Sequence, residues 1–160
     1  MYFADLTPYE YRLPFTLPGV LNVGWLEAGH GFAQADAASA LPPQFQARLE
    51  TLLSAQGPFD ARVNRIRGRH PCPLCAQHSF AHAAIGSCEL WLPSLQSGSC
   101  FAAPSMIVHT VAQHGYLPPT AFIEAVMAIN PTLPFSGQTI YGALVEQRMA
   151  EEETRSPVRQ

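Results

Sequence analysis

The sequence predicts an α+β fold in a single domain, and three features of the chain support this prediction. Apolar residues make up 48% of the 160 residues and charged residues 13%, a balance typical of a chain that buries a core. Fifteen prolines favour short elements joined by fixed turns over long helices. Stretches of alternating apolar residues occur beside stretches with helical spacing. We therefore expect a small antiparallel sheet or hairpin and several helices within one domain at residues 1–150, followed by a flexible tail at 151–160.

The N-terminal quarter of this domain is expected to be mostly extended. Residues 2–12 are rich in aromatic side chains and broken by Pro8, which predicts an extended arm with a turn. Its rings either pin the arm to the core or contribute to a contact surface; they are Tyr2, Phe3, Tyr9 and Tyr11. Residues 13–20 contain Pro18 and Gly19 and predict a loop, whereas residues 21–26 alternate as a half-buried strand does. Residues 27–42 predict a surface loop.

A first helix is predicted at residues 44–53. Phe45, Leu49 and Leu52 have the i, i+4, i+7 spacing of one apolar helix face, and Leu53 extends it. Pro43 suits the first turn of this helix, and the Gly-Pro pair at 57–58 ends it.

A basic segment follows at residues 61–69, where a strand is predicted. Arginine occupies positions Arg62, Arg65, Arg67 and Arg69, and the last three would share one face of that strand. One interpretation is a solvated edge strand whose charges discourage edge pairing. The alternative is a binding surface for an anion or an acidic partner.

The segment at 69–116 predicts a zinc-finger-like unit in which a knuckle, a hairpin and a helix follow one another. Cys72 and Cys75 form the knuckle, and the hairpin strands are predicted at 85–92 and 99–102. A helix is expected at 104–114 with Gly115 as its terminating residue. Two further helices are expected at 118–128 and from 138 to about 149.

The spacing Cys-x2-Cys followed by His-x4-His predicts a Zn²⁺ site with the ligands Cys72, Cys75, His109 and His114. Residues five apart on an ideal helix differ by about 140° at roughly 100° per residue, so the last turn must change its winding at His114. The alternatives are that the cysteines are buried thiols, or that a neighbouring histidine replaces a ligand. These substitutes are His70, His78 and His82. Cys88 and Cys100, on opposite hairpin arms, either face each other or act as small buried apolar residues.

A filled shell of four protein ligands argues against catalysis by the metal, because catalytic zinc keeps a position for water. The Pro-Cys-x2-Cys stretch at 71–75 matches half of the zinc deaminase signature. The other half, His-x-Glu or Cys-x-Glu upstream, is missing, since His30 and His70 lack a glutamate at that spacing. A metal-dependent hydrolase or deaminase is therefore the least favoured function.

Four sequence blocks resemble a group of small bacterial proteins known as a domain of unknown function. The blocks are YFADLTPY at 2–9, LNVGWL at 21–26, RGRHPCPLC at 67–75 and IVHTVAQHGYLPP at 107–119. The resemblance covers about residues 2–128 and implies a bacterial protein with a Cys2His2 metal site and no established activity. Such small proteins are often encoded beside toxins of interbacterial competition, so the resemblance implies an immunity role.

These observations together favour a non-enzymatic, zinc-stabilised protein that binds another protein, such as a toxin that it neutralises. Nucleic-acid binding through the Arg62–Arg69 cluster is the alternative, but the net charge of −3 and the apolar start of the helix at 104–114 do not favour it. No apolar run approaches the roughly 18 residues that span a bilayer, and residues 1–6 show no secretory signal. We therefore expect a cytoplasmic protein that does not bind membranes. The oligomeric state does not follow from the sequence.

Overall fold

The computed structural model describes residues 1–36, 41–66, 70–75 and 85–155, together with the backbone but not the side chain of Ile85. Helices in these ranges are α1 (Phe45–Ser54), α2 (Ile107–His114), α3 (Thr120–Ala128) and α4 (Gly137–Arg155). The strands are β1 (Pro8–Tyr9), β2 (Leu17–Asn22), β3 (Phe59–Asp60), β4 (Arg62–Val63), β5 (His70–Pro71), β6 (Ile85–Gly86), β7 (Glu89–Pro93), β8 (Cys100–Pro104) and β9 (Phe135–Ser136). The predicted α+β class is confirmed.

Among the described residues, the main sheet has the strand order β1-β2-β8-β7-β4. Its pairs are antiparallel except that β2 runs parallel to β8. The predicted hairpin forms its centre, with Glu89 opposite Pro104 and Pro93 opposite Cys100. Cys88 therefore lies at the open end of the hairpin and Cys100 beside its turn, so these two thiols do not face each other.

The two faces of the sheet are covered by different helices. Leu90 and Leu92 of β7 point into a cluster with side chains of α1, α2 and α3, whereas Trp91 between them points into a second cluster beneath α4. The helices α1, α2 and α3 cover one face, and four half-buried side chains of α4 cover the other; they are Ile140, Tyr141, Leu144 and Val145. The hairpin is thus buried on both faces, which explains why residues 90–92 are apolar without alternation.

The helix predictions agree with the structure at α1, α2 and α3, and α4 is longer than predicted. It continues through Arg155, past the expected end near residue 149. Arg148 bonds Glu151 at 2.7 Å and Glu152 at 2.9 Å, at the i+3 and i+4 positions, and such pairs stabilise an exposed helix surface. Residues 156–160 of the predicted tail lie outside the described residues.

Two strand predictions were wrong. Residues 17–20 belong to β2 and not to a loop, because Gly19 at φ +74° lets the chain bend while Val20 pairs with Cys100 of β8. The strand also ends at Asn22, short of the predicted residue 26. Within the described residues 61–66, only Arg62–Val63 of the predicted arginine strand form a strand, because Asn64 has φ +50° and leaves the sheet. Residues 67–69 lie outside the described part of the chain.

Candidate metal centre

The cysteine pair lies in a tight turn that directly follows β5. The backbone N–H of Cys75 donates to the carbonyl of Cys72 at 3.4 Å, so both thiols are held on one side of the turn. Cys72 is fully buried and Cys75 is half-buried. Because the turn follows β5 directly, the pairing of His70 in β5 with Gly86 in β6 anchors the knuckle to β6.

The histidine pair lies on α2, whose last turn departs from regular α-helical winding. Gly115 has φ +64°, and its N–H donates to the carbonyl of Thr110, five residues earlier in the chain. The N–H of Tyr116 donates to the same carbonyl at 3.2 Å. This changed winding occurs where the five-residue separation of His109 and His114 requires it.

The four predicted ligand residues meet in one place. Their ligand atoms all lie within 4.8 Å of one another. The Nε2 atom of His114 is 3.4 Å from the Cys72 sulfur and 3.5 Å from the Cys75 sulfur, and His109 Nε2 is 3.3 Å from the Cys75 sulfur. Metal bonds of about 2.3 Å to sulfur and about 2.05 Å to nitrogen, at a tetrahedral angle, separate sulfur from nitrogen by about 3.5 Å. The spacing of the four ligand atoms therefore fits a cation with tetrahedral coordination.

The surroundings of the cluster favour uncharged side chains when no cation is present. Burial raises the pKa of the Cys72 thiol above its usual range. Burial, together with the nearby His114, lowers the pKa of His109. A neutral imidazole is the form that binds metal, whereas the cysteines must lose their protons to do so. A bound divalent cation would supply the positive charge that makes those thiolates stable.

The predicted substitute ligands do not join the cluster within the described part of the chain. His70 is exposed and absent from the group of four. Cys100 is buried in the second cluster, and burial raises its pKa to about 11. His78 and His82 lie outside the described residues.

The arginine cluster has a local partner that sequence reasoning overlooked. Arg62 bonds the Asp60 carboxylate at 2.9 Å, and Arg65 forms an ion pair with the other oxygen of the same carboxylate. The hydrogen bond from Arg62 lowers the pKa of Asp60. The charges of Arg62 and Arg65 are therefore partly compensated on the molecule. Arg67 and Arg69 lie outside the described residues.

A buried carboxylate on the main sheet was also missed. Glu89 at the start of β7 is 3% exposed. Its Oε2 accepts hydrogen bonds from Tyr9 at 2.8 Å and from the Trp91 indole at 3.1 Å, and its Oε1 accepts one from the Asn64 amide at 2.7 Å. Burial raises the pKa of Glu89. The sign of its burial in the sequence was that this single acid directly precedes the apolar run 90–92.

Most of the aromatic arm packs against the domain. Tyr9 is fully buried, and its ring meets Trp91 edge-on at 5.2 Å. Phe3 and Tyr11 contact Trp25, and Tyr2 stacks on His30 at 4.1 Å. These contacts favour the interpretation in which the rings fix the arm.

The comparisons with known proteins yield one family. A family model described as a domain of unknown function (DUF7919) matches residues 1–127, which include the four predicted ligand residues and exclude α4. The chain matches no curated protein and no solved structure. Among the described helices, none is long and apolar enough to cross a membrane.

Proposed function

The chain belongs to the family of the domain of unknown function DUF7919, and we propose that its Cys2His2 cluster binds a structural Zn²⁺ in a non-enzymatic protein that acts by binding another protein. The observation that supports a structural metal is the convergence of four protein ligand atoms within 4.8 Å. Four such atoms complete a tetrahedral shell and leave no position for a reacting water. Thiolate and imidazole ligands in a tetrahedron favour zinc over hard cations.

The position of the cluster explains what a structural zinc would stabilise. It ties the turn after β5 to α2, and α2 contributes Ile107 and Val111 to the main apolar cluster. The segment between the two ligand pairs is long, so the metal would hold residues that are distant in sequence. Metal-binding energy would then be part of the folding energy.

The first test is metal analysis combined with a chelator and a ligand variant. We expect about one zinc per chain, and a loss of at least about 3 kcal/mol in unfolding free energy on chelation or in Cys75→Ser. For a domain of this size, this corresponds to a fall of roughly 6–12 °C in melting temperature. Cys88→Ser, which alters a thiol outside the cluster, should keep both metal and melting temperature. Equal melting with and without chelator would refute a structural zinc.

Protein binding is the proposed mode of action because the alternatives have less support. A closed metal shell disfavours metal catalysis. The net charge is −3, and Arg62 and Arg65 already pair with Asp60, which weakens the case for nucleic acid. We propose a toxin that the protein neutralises as the partner, with the arginine segment 62–69 as the predicted contact surface.

The second test identifies the partner and maps the contact. The tagged protein expressed in its native host should co-purify with one protein in a fixed ratio, and the two purified proteins should bind again. Arg65→Ala, which removes a side chain 57% exposed, should weaken that complex, whereas Arg155→Ala on the far end of α4 should not. Binding of DNA or RNA that falls steeply with salt, with no protein partner, would favour the nucleic-acid alternative.

A further inference from the structure

A cavity of about 220 Å³ lies between the N-terminal arm, the hairpin and the knuckle. Its walls are largely apolar, and their main residues are Trp25, Leu26, Ile66, Pro71, Pro104 and Met106. At about 30 Å³ per water in the liquid, this volume equals roughly seven waters, which is room for a molecule with one aromatic ring. Pro71 and Pro73, on either side of the ligand Cys72, form one wall.

The buried carboxylate of Glu89 also lines this cavity. All three groups that donate to it are uncharged, namely Tyr9, Asn64 and Trp91. Two of the three bonds reach Oε2 and one reaches Oε1, which leaves Oε1 able to accept one more. Among the described residues, no cationic group forms an ion pair with Glu89. Arg12 acts on Glu89 from a distance and lowers its pKa against the effect of burial. A cation in direct contact with this buried carboxylate would stabilise its charge further.

We propose that this cavity binds a small organic cation, an apolar molecule that carries one protonated amine donating to Oε1 of Glu89. The apolar walls would bury the body of the ligand, and the Trp25 ring among them can attract a cation. Arg12 also lines the cavity, and its charge disfavours ligands with several positive charges and selects a singly charged one. This proposal is independent of the protein partner proposed above.

The test uses three ligands of one shape and different charge: benzylamine, benzyl alcohol and benzoate. The readout is the indole N–H resonance of Trp91, because that group donates directly to Glu89 and the chain has two tryptophans. We expect benzylamine to shift this resonance saturably and to bind at least about tenfold more tightly than benzyl alcohol. Equal affinity for all three, tightest binding of benzoate, or no saturable shift with benzylamine would overturn the proposal.

Variants of residues that line the cavity test where the cation binds. Glu89→Gln should abolish the preference for benzylamine over benzyl alcohol. Because that change also disturbs the buried hydrogen bonds, a milder variant completes the test. Ile66→Phe should weaken benzylamine binding, because the larger side chain fills part of the cavity that the half-buried Ile66 lines. Unchanged benzylamine binding in Ile66→Phe would contradict the proposed position of the ligand.

Discussion

At the scale of single residues, Tyr116 joins the end of α2 to the N-terminal arm. Its hydroxyl lies 2.8 Å from both oxygens of Asp5, and Asp5 also accepts the N–H of Gly24 at 2.8 Å. The Tyr116 side chain is fully buried, so removing its hydroxyl leaves the Asp5 carboxylate short of a donor. We expect Tyr116→Phe to lower the unfolding free energy by about 1–3 kcal/mol in urea titrations. The control is Tyr2→Phe, whose ring stacks on His30, and this change should alter the unfolding free energy by less than about 0.5 kcal/mol.

The Cys100 thiol predicts how stability responds to alkaline pH. Burial raises its pKa in the folded protein from 9.0 to about 11. Between these values the unfolded chain loses the thiol proton and the folded chain keeps it, so stability falls as pH rises. The full difference corresponds to about 2–3 kcal/mol. We expect the unfolding free energy of Cys100→Ala to fall less from pH 9 to 11 than that of the unchanged protein. Parallel pH profiles of the two proteins would contradict this.

The candidate metal ligands and the two acids Glu89 and Asp60 differ in how far the sequence could predict them. The candidate ligands Cys72, Cys75, His109 and His114 follow from local spacing, because each pair lies within one turn or one short helix. Glu89 does not, since its burial depends on Tyr9, which is 80 residues away in the chain. Asp60 was missed for a different reason, since Arg62 and Arg65, which pair with it, lie only two and five residues further along the chain, and local charge pairing could have indicated them.

At the scale of elements, the start of α4 is fixed by the close approach of Gly137 to the sheet. A Cβ atom there would lie 2.9 Å from a methyl of Val63 and 3.0 Å from the carbonyl of Ala61. Gly137→Ala should therefore displace the helix and destabilise the protein by about 1–3 kcal/mol. Gly142→Ala in the same helix meets nothing within 4 Å and should stabilise it by about 0.5–1 kcal/mol. Urea unfolding followed by tryptophan fluorescence measures both, and equal effects of the two changes would show that the contact at Gly137 is unimportant.

The helices were easier to predict than the strands for a physical reason. Each helix carries its own periodic apolar face and its own end signals, as α1 does with Phe45, Leu49 and Leu52. A strand is defined by its partners: β2 extends across Pro18 and Gly19 because Leu17 pairs with Tyr9 of β1 and residues 20–22 pair with β8. Likewise, β4 ends after two residues because Asn64 has φ +50° and leaves the sheet, although the arginine pattern continues.

At the scale of the whole molecule, the sheet separates two apolar clusters that depend on different parts of the chain. The first is closed by α1, α2 and α3, which begin within residues 1–127 that match the family model. The second, which contains Trp91 and Tyr9, is closed by α4, which lies beyond the matched residues. The proposed zinc should therefore stabilise mainly the first cluster, since its candidate ligands lie on α2 and the adjoining knuckle. The second should depend on the contact of α4 with the sheet.

Deletion of residues 137–160 separates these contributions. The ring of Tyr141 meets Trp91 edge-on at 5.4 Å, and Ile140, Leu144 and Val145 cover the same cluster. Because these four side chains are half-buried, their loss should cost about 4 kcal/mol and expose Trp91 to water. We expect red-shifted tryptophan emission and binding of a hydrophobic dye, while the zinc content stays unchanged. Deletion of 156–160 alone is the control and should preserve emission and stability. If the chain lacking 137–160 keeps the melting temperature of the whole protein, α4 contributes nothing to the stability of the fold. If the truncated chain no longer binds zinc, the two sides of the sheet are coupled.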